Sequence, residues 1–158
     1  MSAELDQLAF RFFKLFAQYE YALKVMGYGR AVKRNVAEAD WDRFAKEIGV
    51  FLIKDESRPV VAARRYLFEM PPKRQVWIDG RVAWEVVPNK ERSAQILFAL
   101  IRRVRNNLYH GGKFNGRWID PDRSEDLISK SLLLLERLVN EDARLLEAIQ
   151  GNSAQRVV

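Results

Sequence analysis

The residues best equipped for chemistry lie in the run Arg105-Asn106-Asn107-Leu108-Tyr109-His110-Gly111-Gly112-Lys113, which holds the only histidine of the 158-residue chain. Imidazole transfers protons near neutral pH, and a guanidinium is permanently charged and shaped to hold a phosphate or its transition state. Arg105 and His110 together therefore suit phosphodiester cleavage. Asn106, four residues before His110, is placed to orient the imidazole or to bond the substrate. Arg105 and His110 stand about 140° apart on an ideal helix, so they do not form a side-by-side pair. Arg102 and Tyr109 share the exposed arc, and Lys113 follows the two glycines; these three are candidate substrate contacts. Each candidate also has an ordinary reading: His110 as a cationic helix cap, Arg105 as an inter-helix salt bridge, Asn106 as surface.

Cutting RNA by attack of its own 2'-hydroxyl needs no metal, but it gains from one group that takes a proton and another that gives one. One histidine per chain falls short of that. A two-fold dimer setting two copies of this helix face to face would supply two histidines and two arginines to one composite site, and would cover a polar surface turned away from its own core.

The elements that must position this run follow from hydrophobic spacing. From Ala3 to about Met26, apolar residues recur in steps of three and four, predicting a long first helix. Phe10 and Phe13 lie off its main stripe and suggest a second buried flank, against core helices or another subunit. Glu20 either pairs with an arginine of a neighbouring helix or is solvated. Gly27-Tyr28-Gly29 stops the helix, and Arg30, Lys33 and Arg34 read as a basic surface connection. Asp40 caps a helix from Trp41 to about Ile53, and Ser57 with Pro59 starts another that ends at Pro71-Pro72. Asp79-Gly80 between two runs rich in β-branched and tryptophan residues predicts a hairpin pairing Trp77 with Val82, Gln75 with Trp84 and Arg74 with Glu85. Such a hairpin is marginal alone, so Trp77 or Trp84 should pack on the bundle or on a partner. A helix from about Lys90 to His110 carries its core stripe at Leu97, Leu100, Ile101, Val104 and Leu108 and stops at Gly111-Gly112. Asp122 or Ser124 caps a leucine-rich last helix that continues past Asn140 toward Ile149.

The expected class is therefore all-α: an up-and-down helical bundle with a small β-hairpin inserted around residues 75–85, one domain over 1–150 and a flexible tail from 151 to 158. With 48% hydrophobic and 30% charged residues and no cysteine, the chain reads as a globular protein of a reducing compartment, the cytoplasm. It has no signal segment and no apolar run long enough for a membrane span. A net charge of +6 favours an anionic partner, nucleic acid first. No P-loop, dinucleotide fingerprint or metal-ligand spacing occurs, so no cofactor and no metal are expected.

The run from Arg105 to His110, followed by Gly111-Gly112-Lys113, resembles the R-x(4 to 6)-H signature of HEPN domains, in the form where asparagine follows the arginine. The long first helix, with Phe16-Ala17-Gln18-Tyr19-Glu20-Tyr21-Ala22-Leu23, and the leucine-rich last helix are similar in layout to that family's bundle; the Trp77 and Trp84 hairpin is not part of the minimal bundle. The resemblance implies a metal-independent endoribonuclease working as a dimer, often the toxic half of a toxin-antitoxin pair or an effector of phage defence. It implies that Arg105 stabilises the transition state, that His110 transfers protons, and that Asn106 is the polar residue after the arginine. The products would be a 2',3'-cyclic phosphate and a 5'-hydroxyl. Some family members only bind, so a non-catalytic nucleic-acid or nucleotide-binding module is the alternative.

Overall fold

The computed structural model describes residues 2–151, so the expected tail lies, apart from Gly151, outside the described residues. The first helix, α1 (Ser2–Val25), buries Leu5, Phe12, Phe16, Tyr19 and Leu23 on one stripe. The Tyr19 hydroxyl donates to the Leu135 carbonyl at 2.6 Å, so its one polar atom is satisfied inside the core. Among the described residues the second flank of α1 is not fully covered: Phe10 is 66% exposed and Phe13 46%.

The basic stretch after Gly27 is not a plain surface connection. Strands β1 (Gly29–Ala31) and β2 (Ala37–Ala39) pair antiparallel through a tight turn. Arg34 and Asn35 take φ of 62° and 61° there, left-handed values that asparagine adopts more readily than most residues. Arg30 pairs across the strands with Glu38 at 2.5 Å, which ties down one of the loop's cations.

The expected helix over 41–53 is broken into α2 (Trp41–Phe44), one π turn (Ala45–Gly49) and α3 (Phe51–Lys54). Asp40 caps it by accepting from the Arg43 amide at 3.1 Å. The wide turn carries Gly49 against the Phe98 ring, where a Cβ would overlap the ring edge. Gly49→Ala is therefore expected to destabilise the fold by about 1–3 kcal/mol, the usual result of overfilling a packed core; a urea midpoint equal to wild type would refute this contact.

After α4 (Arg58–Glu69), ended by Pro71-Pro72, strands β3 (Arg74–Ile78) and β4 (Arg81–Glu85) form the hairpin in the expected register. Asp79 and Gly80 take φ of 51° and 74°, the twist a two-residue turn between right-handed strands demands. Helix α5 (Ala94–Tyr109) begins four residues later than the periodicity suggests. The Ser93 hydroxyl accepts from the Ile96 amide and caps it, while Asn89 turns the chain back on the Glu91 amide. Asp120, rather than Asp122 or Ser124, caps α6 (Pro121–Glu141). The last helix does not run on: Asp142 leaves helical geometry and caps a separate α7 (Ala143–Ile149).

The described residues form a mostly-α bundle of seven α-helices with two small hairpins. Helix α6 lies against α1 and α4, α7 against α1 and α6, and α5 is held by the π turn, α4 and α6. Phe16, Tyr19, Trp41, Phe44 and Phe98 stack where α1, α2 and α5 meet, fixing the height and rotation of α5. No helix among the described residues is long and apolar enough to cross a membrane.

Candidate active site

Helix α5 positions every candidate residue, and its two flanks are occupied differently. On the α1 side, the Arg105 guanidinium lies 4.8 Å over the Phe16 ring with its Nη2 3.6 Å from Glu20 Oε1. The same Glu20 oxygen accepts from Trp41 Nε1 at 3.0 Å, so the carboxylate is fixed by a bond that does not use the arginine. At 3.6 Å the ion pair is loose, and Arg105 Nε is buried without a hydrogen-bond partner.

On the opposite flank, the segment entering β3 is strapped along α5. Arg103 donates to the Pro72 carbonyl at 3.2 Å, Asn107 to the Lys73 carbonyl at 2.8 Å, and Gln75 to the Gly111 carbonyl at 3.4 Å. Residues 103, 107 and 111 are one helical face in steps of four, so the strap runs in the same direction as the helix. Between strap and helix opens a groove of about 370 Å³ lined by Arg74, Gln75, Ala99, Arg102, Arg103, Asn106, Asn107 and His110. No carboxylate is among its lining residues. Burial first, and Arg74 beside it, pull the Arg103 guanidinium below arginine's ordinary range.

His110 closes α5 as its C-cap, with its amide bonded to the Asn106 carbonyl at 2.8 Å and its ring edge-on to Tyr109 at 5.3 Å. Its side chain is solvent-exposed on the groove. Gly111 and Gly112 follow with φ of 82° and 92°. A Cβ on Gly112 would stand 2.8 Å from the Trp84 ring and 2.9 Å from Gln75 Nε2, so the hairpin sits directly on Gly112. Lys113 packs its ammonium 4.6 Å over the Trp84 ring, and burial, then Arg123, lowers its pKa below the usual lysine range.

The structure thus brings His110, Asn106 and Arg102 to one groove and leaves Arg105 across the exposed ridge of the helix, against α1. Tyr109 stands on that ridge, 68% exposed, and Lys113 lies under the hairpin rather than in the groove. Arg74, Gln75, Arg103 and Asn107 also line the groove, and sequence reasoning did not single them out. The one signal that could have found them is the four-residue spacing of Arg103, Asn107 and Gly111 together with the stiff Pro71-Pro72 leading into β3.

Bonding differs among the arginines, and exposed ones such as Arg34, Arg58, Arg81 and Arg117 make no side-chain hydrogen bond or ion pair among the described residues. Arg64, Arg123 and Arg137 are bonded at several donors: Arg64 holds the Leu52 and Asp55 carbonyls, Arg123 the Met70 and Pro71 carbonyls and the Tyr66 hydroxyl, and Arg137 both Asp55 and Glu141. Arg102, Arg103 and Arg105, within four consecutive positions of α5, share one hydrogen bond and one loose ion pair. Among the described residues Arg102 is engaged only by its 6.0 Å approach to the Trp41 ring. The unspent donors of Arg102 and Arg103, in one groove with an exposed imidazole, are equipped to hold an anion and exchange protons with it. No family model, curated protein or solved structure matches the chain.

Proposed function

We propose that the chain is a HEPN-like, metal-independent endoribonuclease of the toxin or phage-defence type, acting on RNA in the cytoplasm through a composite site in a homodimer paired along α5. The observation that carries this reading is the contrast among the arginines. Those that hold the fold have spent donors on carbonyls and carboxylates, whereas Arg102 and Arg103 keep most of theirs in the groove that holds the chain's one imidazole, and Arg105 keeps most of its own across the ridge of the same helix. Phosphates neutralise such a cluster and satisfy its fork-shaped donors in pairs.

In this reading Arg102 and Arg103 bind the RNA backbone, Asn106 orients it, and His110 moves the proton of the 2'-hydroxyl or of the departing 5'-oxygen. Arg105, 140° away on the same helix by the ideal repeat, serves the phosphate of the second chain's groove, so the dimer would hold two sites of one arginine and one histidine each rather than the single site of two expected from the sequence. Dimerisation is then a condition of catalysis, and an antitoxin protein would act by covering the paired helices.

One observation favours the second reading, a module that binds nucleic acid without cutting it: Arg105 rests on Phe16 and Glu20 of its own chain, outside the groove. The end chemistry of the products separates the two. Wild-type protein incubated with transfer or messenger RNA in excess EDTA is expected to release fragments with 2',3'-cyclic phosphate and 5'-hydroxyl ends. Salt-dependent retention of intact RNA would instead select the binding module.

A further inference from the structure

We propose that the exposed face of the β3–β4 hairpin, led by Trp77, is a stacking platform for an unpaired base of single-stranded RNA whose phosphate lies in the arginine groove; the identity of the polymer rests on the ribonuclease reading.

Gln75 and Trp84 are partners across the hairpin, and both bear on Gly112. Side chains alternate along strands, so the next pair on that face is Trp77 with Val82, one step toward the turn. The strap runs along α5 from Arg103 to Gly111, and two further residues of strand reach about 7 Å beyond it. The Trp77–Val82 pair therefore overhangs the end of the helix, past His110, where the bundle has no side chain to cover it. Trp77 is 71% exposed and Val82 53%.

The division of labour between the two tryptophans explains why one stays bare. Trp84 packs on Gly112 with the Lys113 ammonium over its ring, which anchors the hairpin and leaves Trp77 unnecessary for holding it. A rigid indole held in solvent by the strand that leads out of the groove, whose Arg102 and Arg103 guanidinium groups have no carboxylate partner while Arg74 is paired with Glu85, matches a strand of alternating bases and phosphates. A duplex offers no free base face to such a platform, so the geometry selects single strands, loops or unpaired ends.

The test uses a fluorescent single-stranded oligonucleotide with 2'-O-methyl riboses, which cannot cyclise, so that binding is read apart from cutting. Trp77→Ala is expected to weaken its binding roughly 10-fold, with most of the affinity retained in Trp77→Phe. The slope of affinity against salt should stay the same, because no phosphate contact is lost. Equal affinity for wild type and Trp77→Ala overturns the platform. So does an unchanged affinity accompanied by loss of the dimer in Trp77→Ala, which would make the face a protein interface. RNA cutting by a Trp77→Ala protein of unchanged affinity removes the platform and leaves the nuclease. Trp77-dependent binding by a wild type that never cuts keeps the platform and removes the nuclease.

Discussion

Alanine in place of His110 is expected to lower RNA cleavage by about 10²–10⁴-fold, the usual contribution of a positioned proton-transfer group, while the helix content and melting temperature stay close to wild type. The separation of the two effects follows from the local structure. Gly111, in the left-handed conformation, supplies the stop of α5, and the His110 amide bond to the Asn106 carbonyl belongs to the backbone. The side chain contributes only its edge contact with Tyr109 and a favourable interaction with the helix dipole, about 0.3–1 kcal/mol when cationic. In transesterification the 2'-oxygen bonds to phosphorus as the 5'-oxygen leaves. One proton departs from the first oxygen and one arrives at the second, and no other imidazole exists in the chain to carry either. The measurement is the initial rate of RNA cleavage in EDTA by wild type and His110→Ala, with circular dichroism as the control for folding. Cleavage at the wild-type rate would exclude His110 from the chemistry.

The sequence pattern made the bundle legible where the signal was local or periodic. The β3–β4 register came out residue for residue because Asp79-Gly80 admits few turns and fixes everything outward from it. The misses are places where polar side chains outbid the pattern. Periodicity alone starts α5 near Lys90, but Ser93 offers the Ile96 amide a better partner than another helical turn would. Asp142 similarly divides the last helix by capping the segment behind it, although the leucines on either side keep helical spacing. The β1–β2 pair escaped because three-residue strands have no room for alternation to declare itself.

At the site, what lay on one helix was readable and what came from elsewhere was not. The angular separation of Arg105 and His110 is a property of helix geometry, and the two do face different neighbours. Glu20 had two open readings, and it is the one beside an arginine that holds, with Arg105 as that arginine. The strap from Pro72 to Gln75 lies more than thirty residues from its α5 partners and announces itself by no motif. Its backbone carbonyls make the contacts with Arg103 and Asn107, so the residue types along it carry almost no record of the pairing. The same is true of the unspent donors on α5: an arginine looks alike in sequence whether its guanidinium is saturated or free.

Mixing two inactive variants is expected to restore activity, and this is the sharpest consequence of the split between the flanks of α5. Arg105 and His110 face opposite sides of the exposed ridge that bears Tyr109, so one chain's arginine does not enter its own groove. Two helices paired about a two-fold axis would each lend Arg105 to the groove that holds the other's His110. Arg105→Gln and His110→Ala are each expected to be nearly inactive alone. A heterodimer of the two has one site with both substitutions and one with neither, so after subunit exchange an equal mixture should recover roughly a quarter of the wild-type rate. Glutamine is the better replacement at 105 because its stem still covers part of the Phe16 ring, which alanine would bare, although both leave Glu20 without its cation. The assay is cleavage by the mixture compared with each variant at the same total concentration, after mild denaturation and refolding together. No recovery in a mixture shown by light scattering to be dimeric would mean that each site draws Arg105 and His110 from a single chain. A monomer at working concentration would remove the composite site altogether.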